Sequence, residues 1–120
     1  MFDFFKKKEP KTPKTELKKD PFPDYSEIEE LTIIDIRDKE DIEYYGRLKN
    51  SVHIEFDDMF ASRLMVLDKT KKYGIMDLKG IMPVLKKAEY IAKEVGLDAK
   101  MLRGGFFYIT EVLNIKPEKE

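Results

Sequence analysis

No cysteine occurs in the 120 residues. Its absence excludes disulfides, thiolate metal sites and every mechanism that runs through a thiol nucleophile. Tryptophan and glutamine are missing too, and asparagine occurs only at Asn50 and Asn114. Poverty in labile residues beside abundant Lys, Glu and Ile is a thermophile pattern, and an AT-rich genome skews composition the same way. No charge of one sign dominates. Lys and Arg number 23 against 24 Asp and Glu, a net charge of −1, so nucleic acid is not an expected partner. No apolar run reaches the roughly 20 residues of a membrane span. The opening MFDFFKKK is too short for a secretory signal and carries its charge on the wrong side. The chain is therefore expected in the cytoplasm.

Histidine is nearly absent as well. His53 stands alone in a short strand, where a satisfied polar core residue is the favoured reading over a catalytic base. With no second His and no Cys, the usual ligands of a transition metal are missing. Neither a metal nor a cofactor is expected. The acidic group Asp38, Glu40 and Asp41 reads as a solvated helix start.

Residues 1–23 differ from the rest. They hold seven lysines against four acids, a net of +3 that leaves −4 on the remainder, and four prolines that break any helical pattern. This reads as a flexible Lys/Pro-rich arm. Phe2, Phe4 and Phe5 ahead of Lys6, Lys7 and Lys8 form only a minimal membrane anchor, because each lysine supplies about 1 kcal/mol at an anionic surface. Membrane contact is not expected; docking of these aromatics on the domain or a neighbouring chain is.

From residue 24 to 117 apolar runs and amphipathic segments alternate as in one domain, with 118–120 as a tail. The predicted elements are a short acidic helix over 24–31 with Ser26 as N-cap, a buried strand over 32–36 and a helix over 38–45 stopped by Gly46. A strand over 52–54 and a helix over 57–67 with Met59, Phe60, Leu64 and Leu67 inward come next. A strand over 73–76 leads to a helix over 83–96, opened by Pro83, with Val84, Ala88, Ile91 and Val95 as one stripe. A strand over 99–102, an Arg-Gly-Gly turn and a last helix from Phe106 close the domain. Strands alternating with helices imply a mainly parallel sheet covered on both faces, an α/β fold.

In such a sheet ligands sit beyond the C-terminal strand ends. Four segments reach that edge: Asp35–Asp38, Glu55, Asp77–Met82 and Arg103–Gly105. The third is the most informative. Successive backbone N–H groups at a helix start form an anion cradle, and here Asp77 and Lys79 share the loop with Leu78, Ile81 and Met82.

The order of motifs resembles the rhodanese family. "IIDIRDKEDIEYYGRLKNSVHI" is similar to its opening, where Asp-x-Arg ends a strand and a turn precedes the next. "LDKTKKYGIMD" is similar to the approach to its catalytic loop, and "AEYIAKEVGLDAKMLRGGFFYI" to its closing helix, strand and Gly-Gly-Phe turn. The resemblance covers about residues 28–117. It implies a rhodanese-like three-layer α/β/α sandwich with a mainly parallel sheet of four or five strands, the usual first strand being doubtful because residues 10–23 are proline-rich. It also implies a loop of the type Cys-Arg-x-Gly-x-Arg, whose cysteine carries a persulfide.

Aligned on Gly80, that loop has Asp77 in place of the cysteine, Leu78 in place of the first arginine and Met82 or its neighbour in place of the second. Arg47-Leu48-Lys49-Asn50-Ser51 likewise departs from the family's His-Ile-Pro-Gly-Ala turn. The scaffold motifs are kept and the reactive ones lost. A carboxylate at the loop mouth repels thiosulfate or persulfide, and it can fill the anion cradle itself by accepting N–H bonds from residues 79–82. Replacing Asp77 with Asn is accordingly expected to cost little, and with Ala about 1 kcal/mol or more, because orphan donors remain. The expected function is a catalytically silent module that binds an unknown protein partner or small ligand at Asp77, Leu78, Lys79, Gly80, Ile81 and Met82. The alternative is an enzyme of unfamiliar type, for phosphoryl or acyl hydrolysis, using Asp77 and Lys79. Asp35 and Arg37 are expected as a supporting structural ion pair, Arg103 as a further residue at the edge, and Gly104-Gly105 as turn chemistry.

Overall fold

The structure is a computed structural model that describes residues 22–119. The expectations for Phe2, Phe4, Phe5 and the lysines beside them lie outside the described residues. Phe22 and Pro23, which the sequence reading places in the arm, lie inside the fold: a 3-10 turn spans Pro23–Tyr25, and the Phe22 ring packs 4.9 Å from that of Tyr108.

Among the described residues four strands form one parallel sheet: β1 (Thr32–Asp35), β2 (Ser51–His53), β3 (Lys72–Met76) and β4 (Asp98–Met101), in the order β2-β1-β3-β4. β-Branched and apolar residues make β1 and β3 suited to the centre of a sheet buried on both faces. The connecting helices are α1 (Lys39–Tyr45), α2 (Phe60–Leu64), α3 (Met82–Glu94) and α4 (Gly105–Phe107). The fold is a three-layer α/β/α sandwich.

Alternation along the strands divides the core. One face sends Ile34, Ile36, Tyr73 and Ile75 against Phe60 and Leu64 of α2 and Leu85, Ala88 and Ala92 of α3. The stripe of α3 is thus centred on Leu85, Ala88 and Ala92, with Val84, Ile91 and Val95 at its flanks. The other face sends Ile33 and Met76 against Tyr25, Leu31, Leu48, Phe106 and Ile109.

Three predicted elements differ. The helix over 24–31 is instead a pair of 3-10 turns, Pro23–Tyr25 and Ile28–Glu30, and Ser26 caps neither. Long-range bonds explain it: the Tyr25 hydroxyl donates to the Arg103 carbonyl at 2.7 Å, and Asp24 is held by Arg103. α2 is shorter than 57–67 because the Asp57 carboxylate accepts from the Met59 N–H at 2.9 Å and ties up the entry. Met59 consequently faces out, 51 % exposed, rather than into the core. The last helix starts as α4 and widens into a π-helical segment, Tyr108–Val112, where the Leu113 N–H reaches the Tyr108 carbonyl at 3.1 Å. The expected tail is also anchored, since Arg47 and Glu118 exchange backbone hydrogen bonds at 2.8 and 2.7 Å.

Candidate functional site

The parallel register places Asp35 opposite His53 and Met76, so the ends of β1, β2 and β3 lie level at one edge. The loop 77–81 leaves β3 there and enters α3. Asp77 is buried, 8 % exposed. Its two oxygens work separately: Oδ1 accepts from the Gly80 N–H and Oδ2 from the Ile81 N–H, each at 2.7 Å. The carboxylate therefore occupies the N–H groups that could otherwise face an anion. Burial pushes the Asp77 carboxyl above the ordinary range, against the downward pull of the Ile81 and Gly80 N–H groups. With two separate acceptors in use, Asn is expected to cost more than a single shared acceptor would imply, because its one oxygen serves one N–H while its NH₂ opposes the other.

The back of the loop is sealed. The Phe106 N–H donates to the Asp77 carbonyl at 2.7 Å, and the Phe107 N–H to the Leu78 carbonyl at 3.2 Å. Gly104 and Gly105 do more than turn the chain. A Cβ on Gly105 would meet the Leu78 carbonyl carbon and the Gly80 nitrogen at 2.7 Å, and Gly105 has φ +69°. On Gly80, with φ +82°, a Cβ would meet the Gly104 nitrogen at 2.5 Å. Only backbone fits between these two loops. The paired glycines in the sequence are the signal for this contact.

The apolar side chains of the loop do not act as one exposed set. Leu78 packs on the core cluster around Met76 and Phe106, and Met82 is half-buried in the first turn of α3. Ile81 alone stands out, 53 % exposed, with Lys79 exposed beside it.

Asp35 and Arg37 form a buried bidentate pair, Nε to Oδ1 at 2.9 Å and Nη2 to Oδ2 at 2.7 Å. Nη2 also donates to the Gly46 carbonyl at 2.8 Å, and the guanidinium lies 4.1 Å from the Phe106 ring centroid. The pair thus joins the end of β1 to the C-cap of α1 and to α4. The Arg37 carbonyl contacts His53 Nε2 at 2.7 Å; because a carbonyl only accepts, Nε2 carries the proton.

Arg103 is bound by Asp24. Its Nη2 and Nε donate to Asp24 at 2.9 and 3.2 Å, its own N–H reaches Asp24 Oδ2 at 2.9 Å, and its guanidinium covers Phe22. Desolvation opposes ionisation of Asp24, but the Arg103 hydrogen bonds and charge outweigh it and hold the carboxyl below its ordinary value. This cluster joins residues 79 positions apart, beyond the reach of a sequence pattern. Among the described residues no group of His, Asp and Glu is placed to hold a metal ion, and no helix is long and apolar enough to cross a membrane.

No protein-family profile matches the chain, and no curated protein does. Solved structures match clearly. A full-length protein from Lactobacillus plantarum is similar with a TM-score of 0.63 at 21 % identity, covering 76 % of this chain and 74 % of that one. A rhodanese-related protein from Thermoplasma volcanium has a TM-score of 0.57 at 23 % identity, covering 68 % and 77 %. A rhodanese-like domain protein from Staphylococcus aureus has 0.56 at 24 % identity, covering 74 % and 82 %. The chain has the rhodanese-like fold. In it, the loop that the resemblance assigns to a catalytic cysteine carries Asp77, and the chain has no cysteine to replace it.

Proposed function

We propose that this domain is a catalytically silent rhodanese-like module whose former reaction loop serves as a contact surface for a protein partner or small ligand. The carrying observation is the double engagement of Asp77, which fills the anion cradle with the chain's own carboxylate. Ile81, exposed beside Lys79 at the rim of that filled cradle, supports the contact role. A soluble cytoplasmic setting fits a chain without a long apolar run.

The alternative enzyme would use Asp77 as nucleophile or base with Lys79. A carboxylate that is buried and bonded through both oxygens is poorly placed to attack a substrate, which weighs against it. Pure protein is assayed for thiosulfate:cyanide sulfur transfer and against generic phosphatase and esterase substrates. No turnover is expected in any of them, and Asp77→Cys alone restores little because Leu78 and Met82 stand at the arginine positions. Turnover that disappears in Asp77→Asn would establish the enzyme instead. For the contact role, immobilised wild type and Ile81→Glu are compared in capture from extract. Ile81→Glu is expected to lose specifically captured species while keeping its melting temperature; equal capture by both removes this loop from the interaction.

A further inference from the structure

A second opening lies at the other edge of the sheet, beside the N-terminal ends of β1 and β2. It is a cleft of about 180 Å³ lined chiefly by Ile28, Leu31, Ile33, Leu48, Ile109 and Ile115. A closed apolar cavity of about 150 Å³ takes up benzene; this cleft has a similar volume but is open to solvent, so it offers a seat for one ring at its mouth. Its rim is acidic. Glu29 lines the cleft, and Glu27 and Glu30 flank it on the same short segment, with Lys49 as the one cation among the lining residues. Glu27 sits 3.8 Å from Lys72, whereas Glu29 and Glu30 have no ion-pair partner among the described residues.

The chain contains a segment of matching chemistry. Phe4 and Phe5 immediately precede Lys6, Lys7 and Lys8: rings for an apolar cleft, then three cations for an acidic rim. From Phe5 to Phe22, where the described fold begins, the separation is 17 residues. Such a length spans up to about 56 Å when extended. A strand of five residues is only about 17 Å long, so the segment can pass from one edge of the sheet to the other. We propose that residues 4–8 dock in cis on this cleft, a ring of Phe4–Phe5 seated at its mouth against the partly exposed Ile28 and Ile115 and Lys6–Lys8 facing Glu29 and Glu30. Tethering makes the event intramolecular, with an effective concentration in the millimolar range.

The absence of native cysteine makes the test clean. A nitroxide is attached to full-length F2C, and the isoleucine methyl signals are followed by NMR. Docking predicts about fivefold or greater loss of intensity at Ile28, Ile109 and Ile115, unchanged on tenfold dilution. The loss should be largely reversed in F2C/F4A/F5A and weakened in F2C/E29K/E30K. Broadening that persists without Phe4 and Phe5 would reflect the tether alone and overturn the proposal. So would loss that vanishes on dilution, which assigns the contact to a second copy, or loss centred on Ile81. Broadening unchanged by the Glu29 and Glu30 reversals would overturn the charge pairing.

Discussion

Truncating Asp77 to alanine removes two hydrogen bonds to one charged group at the entrance of α3. Losing a helix-entry acceptor costs about 1 kcal/mol, and the second N–H adds about 1 kcal/mol more. The partly exposed loop lets water reach the freed donors, so the upper end of either range does not apply. A total of about 2 kcal/mol corresponds to a fall in melting temperature of about 10 °C for a domain of this size. Asn should fall between, at about 1 kcal/mol, because one N–H keeps an acceptor and the other meets an amide donor. Urea titrations followed by circular dichroism measure both. The pH dependence adds an independent check. Because the folded carboxyl is pushed above the ordinary 3.8, the folded state holds its proton longer than the unfolded chain. Wild-type stability relative to Asp77→Asn should therefore fall as pH rises from 3.8 through the folded value, then level off. Alanine within about 0.5 kcal/mol of wild type, the range of ordinary surface changes, would refute the cradle-filling role. A rise in the relative stability of wild type across that pH window would refute the burial argument.

Arg37→Ala leaves the Asp35 carboxylate buried without its partner and should cost about 3–5 kcal/mol; Asp35→Leu with Arg37→Met should recover much of that in a urea double-mutant cycle, and additive costs would count against the pair. Gly105→Ala places a methyl against Leu78 and Gly80 backbone at a left-handed φ and should cost about 2–4 kcal/mol; a melting temperature like wild type would show that the two loops separate freely. Asp24 titrates with the opposite sign to Asp77: its carboxyl is held below 3.8, so the stability it contributes is present above that pH and lost below it. Asp24→Asn should accordingly lose most relative to wild type at neutral pH and converge with it in acid, as acid-to-neutral denaturation series would record.

The legible parts of the sequence were those with local causes. β1 stood out through Ile33 and Ile34 and β3 through Tyr73, Ile75 and Met76, short apolar stretches of the kind that burial on both sheet faces demands. α1 and α3 had their stops in Gly46 and Gly96, and Asp77 could be placed at a helix entry from Gly80 and Pro83 alone. The segments that differed are governed from a distance. Residues 24–31 carry a helical pattern, yet Asp24 and Tyr25 are bound to Arg103, and those bonds select two tight turns. Met59 fits an inward spacing, but Asp57 delays the helix start and turns it outward. Arg103 reads as a residue of the ligand edge until Asp24 claims it.

The sequence by itself determined the α/β class, the absence of any thiol chemistry and, through its resemblance to the rhodanese family, a carboxylate in the place where that family has a cysteine. These follow from residue identity and near-neighbour order, which need no coordinates. Tertiary structure decided the rest: that each Asp77 oxygen takes its own N–H, that Gly80 and Gly105 let two loops touch through bare backbone, and that Ile81 alone of the loop's apolar side chains is exposed. These depend on distances between segments brought together by the sheet. Hydrogen bonding and steric exclusion act over a few ångströms, so they are settled only once packing has fixed which backbones meet.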